Sequence, residues 1–300
     1  MSAPRRPTAS HTALPAPGVL APAFLLVTAL FLAPAGALAQ LGPVVTPADQ
    51  VTIGGWLQPA WQYLAHDADP DEQGFFLRRA RLDVAGSVFG GSVRFRLLPD
   101  LSANPGLRDA WVELRGTPVE GLSTRLRMGQ QTVPFDLQRE RNMAAGHFGE
   151  RAIAARRFEL SGGRDVGVVG MVQALDGHFQ LSGGAFNGRG ANRKDPSRSP
   201  LLSGRASFSL GGPPASGETD LARSPDPVVT LSAGAMRHRE SFLRPRPGFA
   251  ADRAVDWHGW TTDLHARWQG ASLAAAWFEQ VLDAEGNDER GDGFFLSGGI

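Results

Sequence analysis

The sequence predicts an all-β fold, a transmembrane antiparallel β-barrel. Three observations point there. After residue 50, apolar and polar residues alternate with a period of two, the pattern of a strand with two different faces. The alternating segments run about 10 to 13 residues, whereas a globular strand averages about 5 to 6 and a tilted bilayer-crossing strand needs about 9 to 11. Short glycine-bearing turns are interspersed with long polar connections, the arrangement of outer-membrane barrels.

Twelve strands are expected in chain order, beginning near Val51, Phe75, Gly91, Leu107, Gly121, Asp165, His178, Leu201, Pro227, Trp257, Ala271 and Arg290. Leu82, Val84, Gly86 and Val88 alternate with Arg81, Asp83, Ala85 and Ser87. Ala110, Val112 and Leu114 alternate with Trp111, Glu113 and Arg115. Ala206, Phe208 and Leu210 alternate with Arg205, Ser207 and Ser209, and Leu264, Ala266 and Trp268 with Asp263, His265 and Arg267. From Ala271 to Asp283 the parity is ambiguous, because Trp277 and Phe278 compete for the apolar face. Phe89 to Ser92 and Gln269 to Ala271 read as tight turns. His66–Gly74, Asn187–Pro200, Gly211–Asp226, Glu240–Asp256 and Asp283–Asp292 read as long polar loops on the opposite rim.

The first forty residues read as an address. Arg5 and Arg6 precede an apolar stretch from Val19 to Leu38 that ends in Ala37-Leu38-Ala39, the small-x-small pattern of a cleavage site. Residues 1–39 are expected to be a signal peptide, 40–50 a linker and 51–300 the barrel. The mature chain then leaves the cytoplasm of a Gram-negative-type cell.

Composition narrows the function. Thirty basic and thirty acidic side chains cancel, which argues against a nucleic-acid binder. Cysteine is absent, so disulfides, thiol catalysis and cysteine metal sites are excluded. No H-E-x-x-H, Walker A or G-x-S-x-G motif occurs, and the seven histidines are dispersed; neither an enzyme nor a metal or cofactor is expected.

The neutral total conceals a spatial sorting. Arginine on the lipid face costs about 2 to 4 kcal/mol at the midplane. The apolar partners therefore aim Arg79, Arg81, Arg94, Arg96, Arg115, Arg125, Arg127, Arg205 and Arg267 inward, and parity puts Arg78 at the rim. Phe75 to Asp165 holds fifteen arginines against ten carboxylates, while His66 to Gly74 carries four carboxylates and no arginine. A row of permanently charged, planar guanidinium groups attracts oxyanions and can pass them between weak sites in series. Each arginine also has a plainer use, pairing with a carboxylate such as Asp83, Glu113 or Asp263.

Residues 134–164 break the alternation and are too long for an ordinary loop. Two readings are open: a segment folded inward whose Arg139, Arg141, Arg151, Arg156 and Arg157 line a constriction, or an external loop with a short helix.

Six elements together resemble the phosphate-selective porins O and P. They are FFLRRARLDVAG (75–86), DAWVEL (109–114), LRMGQQTVPF (126–135), FGER (148–151), RDVGV (164–168) and GGAFNGRG (183–190) followed by GR (204–205). The resemblance covers about residues 50 to 210. It implies a sixteen-stranded outer-membrane barrel, usually a homotrimer in outer-membrane lipid. Such a barrel passes phosphate, polyphosphate or other small anions along an arginine ladder with loops folded inward. Arg79, Arg81, Arg94 and Arg96 fall in the matched strands. The chain departs from the family pattern in two ways. Lys194 is its only lysine, where strongly phosphate-selective members present lysine clusters. It also stops at Ile300 after about twelve strands, so a fragment missing its last strands is expected. Two other functions stay open: a structural or adhesive barrel with a plugged lumen, and a soluble exported β-sandwich that binds a ligand.

Overall fold

The structure is a computed structural model that describes residues 50–64, 72–102, 105–141, 143–158, 163–193, 199–241, 255–284 and 287–300. The expected signal peptide, nearly all of the expected linker, and Lys194 lie outside the described residues.

Twelve strands follow one another: β1 (Gln50–Leu64), β2 (Glu72–Val88), β3 (Val93–Asp100), β4 (Gly106–Val119), β5 (Leu122–Thr132), β6 (Arg164–Ala174), β7 (Phe179–Phe186), β8 (Leu201–Leu210), β9 (Val228–Ser241), β10 (Val255–Trp268), β11 (Ala271–Ala284) and β12 (Asn287–Gly299). Each expected strand begins within three residues of an observed one. All twelve form one antiparallel sheet in sequence order, each strand paired with the next. A single meander of this kind replaces the two stacked sheets of the β-sandwich alternative. No described helix is long and apolar enough to cross a membrane.

The sheet has two unlike faces. On the outer face Ile53, Leu57, Phe75 and Leu296 are exposed, Phe75 at 88%. Large apolar side chains in such numbers suit lipid rather than water. Trp61 stacks on Tyr63 and Trp277 on Phe294 on this face. The register resolves the ambiguity in β11: Trp277 points outward and Phe278 inward, where it is fully buried.

The inner face carries an inserted segment, residues 133–163, between β5 and β6. It contains α1 (Leu137–Glu140), a 3-10 turn (Met143–Ala145) and α2 (Ile153–Arg157). Asp136 caps α1 by accepting the Arg139 N–H at 3.1 Å. The segment is anchored by aromatic packing. Phe158 stacks on Phe278 at 5.6 Å between centroids, and Phe135 meets both Trp257 and Phe278. Gly234 makes the close approach possible, because a Cβ there would collide with the Phe135 carbonyl.

This one segment touches both ends of the sheet. The Gly149 carbonyl accepts from Arg79 on β2 at 2.7 Å, while the His147 ring hydrogen-bonds Ser297 on β12 at 3.0 Å. Residues 147 and 149 stand no more than about 7 Å apart along the chain. The sheet is therefore curled, with its second and last strands facing a shared insert.

Two expected loops are placed differently. Asp283–Asp292 is mostly strand: β11 continues to Ala284 and β12 starts at Asn287, so its carboxylates extend a hairpin. Gly211–Asp226 joins β8 to β9 and thus lies on the same rim as the tight turns at 89–92, 120–121, 175–178 and 269–270. Length alone misassigns it, because in a meander the rim of a loop is set by strand parity.

Candidate functional site: the arginines of the inner face

Cross-strand register fixes which side each arginine occupies, since directly paired residues share a face. Arg81 pairs with Trp56, Arg94 with Glu113, Arg96 with Trp111, Arg115 with Arg125, and Arg127 with Glu113 and Val169. Arg205 pairs with Gly234 and Arg267 with Ser272. All nine arginines predicted from alternation thus lie on the face that carries the inserted segment.

Most of them hold carboxylates. Arg81 donates to Asp100 at 2.9 Å and sits 5.2 Å from the Trp56 ring centre. Arg96 grips Asp83 through two nitrogens, at 2.8 and 2.6 Å, and reaches Asp109 at 3.2 Å. Arg127 donates twice to Glu113, at 2.9 and 2.6 Å, and lies 4.1 Å above the Trp111 ring. Arg115 lies 3.6 Å from the same carboxylate. Arg205 forms a forked pair with Asp263 at 2.6 and 2.8 Å and also reaches Glu140 at 3.0 Å. Asp83, Glu113 and Asp263 therefore serve as the pairing partners that the plainer reading of the sequence offered.

Arg94 and Arg125 differ. Neither has a carboxylate within 4 Å among the described residues. Among the described residues, Arg267 donates to the Pro213 carbonyl alone, at 3.4 Å. Four guanidinium groups, on Arg94, Arg115, Arg125 and Arg127, thus surround the single carboxylate of Glu113 in adjoining register positions. They lie toward the tight turns at 89–92 and 120–121.

Two arginines sit at β-bulges that alternation cannot anticipate. Pairing skips Arg78 where β1 passes from Gln58 to Pro59, and skips Arg108 where β3 passes from Leu98 to Pro99. Proline has no N–H for the ladder, so the partner strand carries one unpaired residue there. Rather than standing at the rim, Arg78 donates to Glu150 of the inserted segment at 2.6 Å, beside Arg79 at 3.0 Å. Burial pushes the Glu150 carboxyl upward, but the Arg78 hydrogen bond and the charges of Arg79 and Arg78 outweigh it, leaving it below its ordinary value. Arg164, absent from the sequence-based set, donates to Asp109 at 2.8 Å. Prolines inside alternating segments were the readable signal for both bulges.

The five arginines of the inserted segment divide by role. Arg139 is buried and pairs with Asp136 at 2.9 Å, and Arg151 donates to the Gln138 carbonyl at 2.9 Å; both hold the segment together. Arg156 and Arg157 are exposed. Arg141 is half-buried near Glu140, Arg205, Asp263 and Arg267, and desolvation pushes its guanidinium down to about 10. Among the described residues, no group of three or more acidic or histidine side chains is placed to hold a metal ion.

A single long-stranded meander with an apolar outer face, a charged inner face and an insert packed inside it defines a porin of the outer-membrane class. The model of one family, phosphate-selective porin O and P, matches residues 55–226, and the chain belongs to that family. No curated protein matches the chain. Among solved structures it is similar to an anion-selective porin from Comamonas acidovorans. That likeness has 16% identity and a TM-score of 0.58, and covers 83% of this chain and 74% of that one. At that identity the likeness concerns the fold.

Proposed function

We propose that this chain is a passive outer-membrane channel selective for anions, with phosphate or another small oxyanion as cargo. Export by the signal peptide at 1–39 and assembly as a homotrimer belong to the same reading, both taken from the sequence and the family. The observation that carries it is the surplus of guanidinium groups around Glu113. Arg94 and Arg125 retain charge that no carboxylate within 4 Å neutralises among the described residues. In a confined aqueous space such charge raises local anion concentration and repels cations. Paired arginines shape the wall, and those two supply the potential.

The test is reversal potential in planar bilayers under a salt gradient. Anion preference, with chloride current inhibited by millimolar phosphate, is the expected result. A cation-selective or silent channel overturns it. The plugged structural barrel has its own support in the carboxylate partners carried by six of the nine inward arginines. It predicts that replacing Arg94 and Arg125 together with alanine leaves any conductance and selectivity unchanged.

A further inference from the structure

A second segment enters the curled sheet from the opposite rim. Residues 211–227 start on the tight-turn side, yet they meet the inserted segment, which comes from the other side. The meeting point is one carbonyl. Ala145 O accepts the Glu218 N–H at 2.8 Å, the Thr219 N–H at 3.1 Å and the Thr219 hydroxyl at 3.2 Å. The Glu218 carboxylate answers by accepting the His147 N–H at 3.2 Å, and lies 3.7 Å from His147 Nδ1. The Glu218 carbonyl hydrogen-bonds His265 of β10 at 2.8 Å. The His147 ring in turn hydrogen-bonds Ser272 of β11 at 2.7 Å and Ser297 of β12 at 3.0 Å.

The joint is tight and dry. Side-chain exposure is 1% for His147 and 2% for Glu218. Gly217 lets the backbones touch, since a Cβ there would lie 2.6 Å from Ala145 Cβ. Asp220 fastens the far end of the loop, accepting from the Ser224 hydroxyl at 2.7 Å and the Gly270 N–H at 2.8 Å.

Burying a carboxylate carries a desolvation penalty that an apolar contact between two loops would avoid. What the carboxylate adds is direction. It holds the backbone at His147 in one orientation against β11 and β12. We infer that Glu218 is a positioning residue: it docks the 211–227 loop onto the tip of the inserted segment and so sets the aperture of the channel. This rests on the channel reading above. Its consequence is that the narrow zone is built from both rims, and that a change on the tight-turn rim reaches the segment on which Arg139 and Arg141 sit.

The absence of cysteine makes the test clean. The full chain and its Glu218→Ala and Glu218→Gln variants are recorded as single channels in planar bilayers. Losing the dock is expected to raise unitary conductance at least about twofold and to increase open-channel noise, with Glu218→Gln intermediate. A further variant adds Ala145→Cys and Gly217→Cys to Glu218→Ala. The two Cβ positions need separate only slightly to accept a disulfide. Oxidation is expected to restore the parent conductance and reduction to abolish the rescue, which a merely misfolded channel would not show. The inference is overturned if both Glu218 variants keep parent conductance and noise, or if oxidised and reduced double-cysteine channels conduct alike. A parent chain that is silent or cation-selective overturns the channel reading itself. An anion-selective parent with unchanged variants overturns only the role of Glu218.

Discussion

The inner faces of β2–β5 and of β8–β12 share one architecture and differ in what covers them. On β2–β5 arginines and carboxylates interlock across the whole face, some half-open and some buried: the Arg96 side chain is 34% exposed and Asp83 32%, whereas Glu113 is 1% exposed. On β8–β12 the inner positions include Trp257, Phe278 and Phe295, and the ring system of Phe135 and Phe158 lies on them. The Arg205–Asp263 ion pair is buried beside that apolar patch, and Arg205 also reaches the more exposed Glu140. The difference shows a division of labour within one sheet. One half is densely charged and partly open to solvent, as at Arg94, Arg96 and Asp83. The other half is dry and serves as the seat that holds the inserted segment in place.

The strongest way to break that contrast is to remove the seat. Phe278→Ala deletes a fully buried ring stacked on Phe158, and is expected to cost about 3 to 5 kcal/mol and to free the inserted segment. Urea unfolding in detergent micelles, with limited trypsin cleavage at Arg156–Arg157, reads both effects. Next in size is Asp263→Asn, which strips Arg205 of its forked partner while Glu140 remains. About 3 kcal/mol is expected from the same unfolding experiment. On the charged half, Arg94→Ala combined with Arg125→Ala is expected to change stability by less than about 1 kcal/mol. The same double variant should lower the anion-to-cation permeability ratio, and equal ratios in parent and variant would erase the proposed contrast.

The smallest effect is a pH response at the contact between the inserted segment and β2. Glu150 has its carboxyl held below the ordinary value by Arg78 and Arg79. A depressed carboxylate contributes stability above its unfolded pKa of about 4.3, and that contribution is lost as pH falls through the folded value. Because the Glu150 side chain is 40% exposed, the contribution is well under about 1 kcal/mol. Amide hydrogen exchange of the segment, corrected for the intrinsic pH dependence of exchange, should speed up on acidification below pH of about 4 in the parent, and Glu150→Gln should flatten that dependence.

Alternation was enough to locate twelve strands and to sort nine arginines onto one face, because a strand's period of two is a local property of the backbone. It misjudged Arg78, since Pro59 breaks the local rule and the bulge re-aims the residue that follows from it. It also left Trp277 and Phe278 undecided: both are large and apolar, and the register with β10 and the stacking of Phe158, from a segment more than a hundred residues earlier, select between them. Nothing near Glu218 in the sequence marks it. Its partner, His147, lies 71 residues away on another loop.

The strand count, the two faces, the family and the surplus of inward arginine were all legible in the chain before it folded. Each follows from local periodicity or from short runs read in order. Folding settled which of those arginines are neutralised, where the inserted segment lies, and that a loop from the opposite rim meets it. The reason is physical: charge pairing and loop docking depend on which residues the curled sheet brings within about 4 Å, and register and curl, rather than separation along the chain, set those distances.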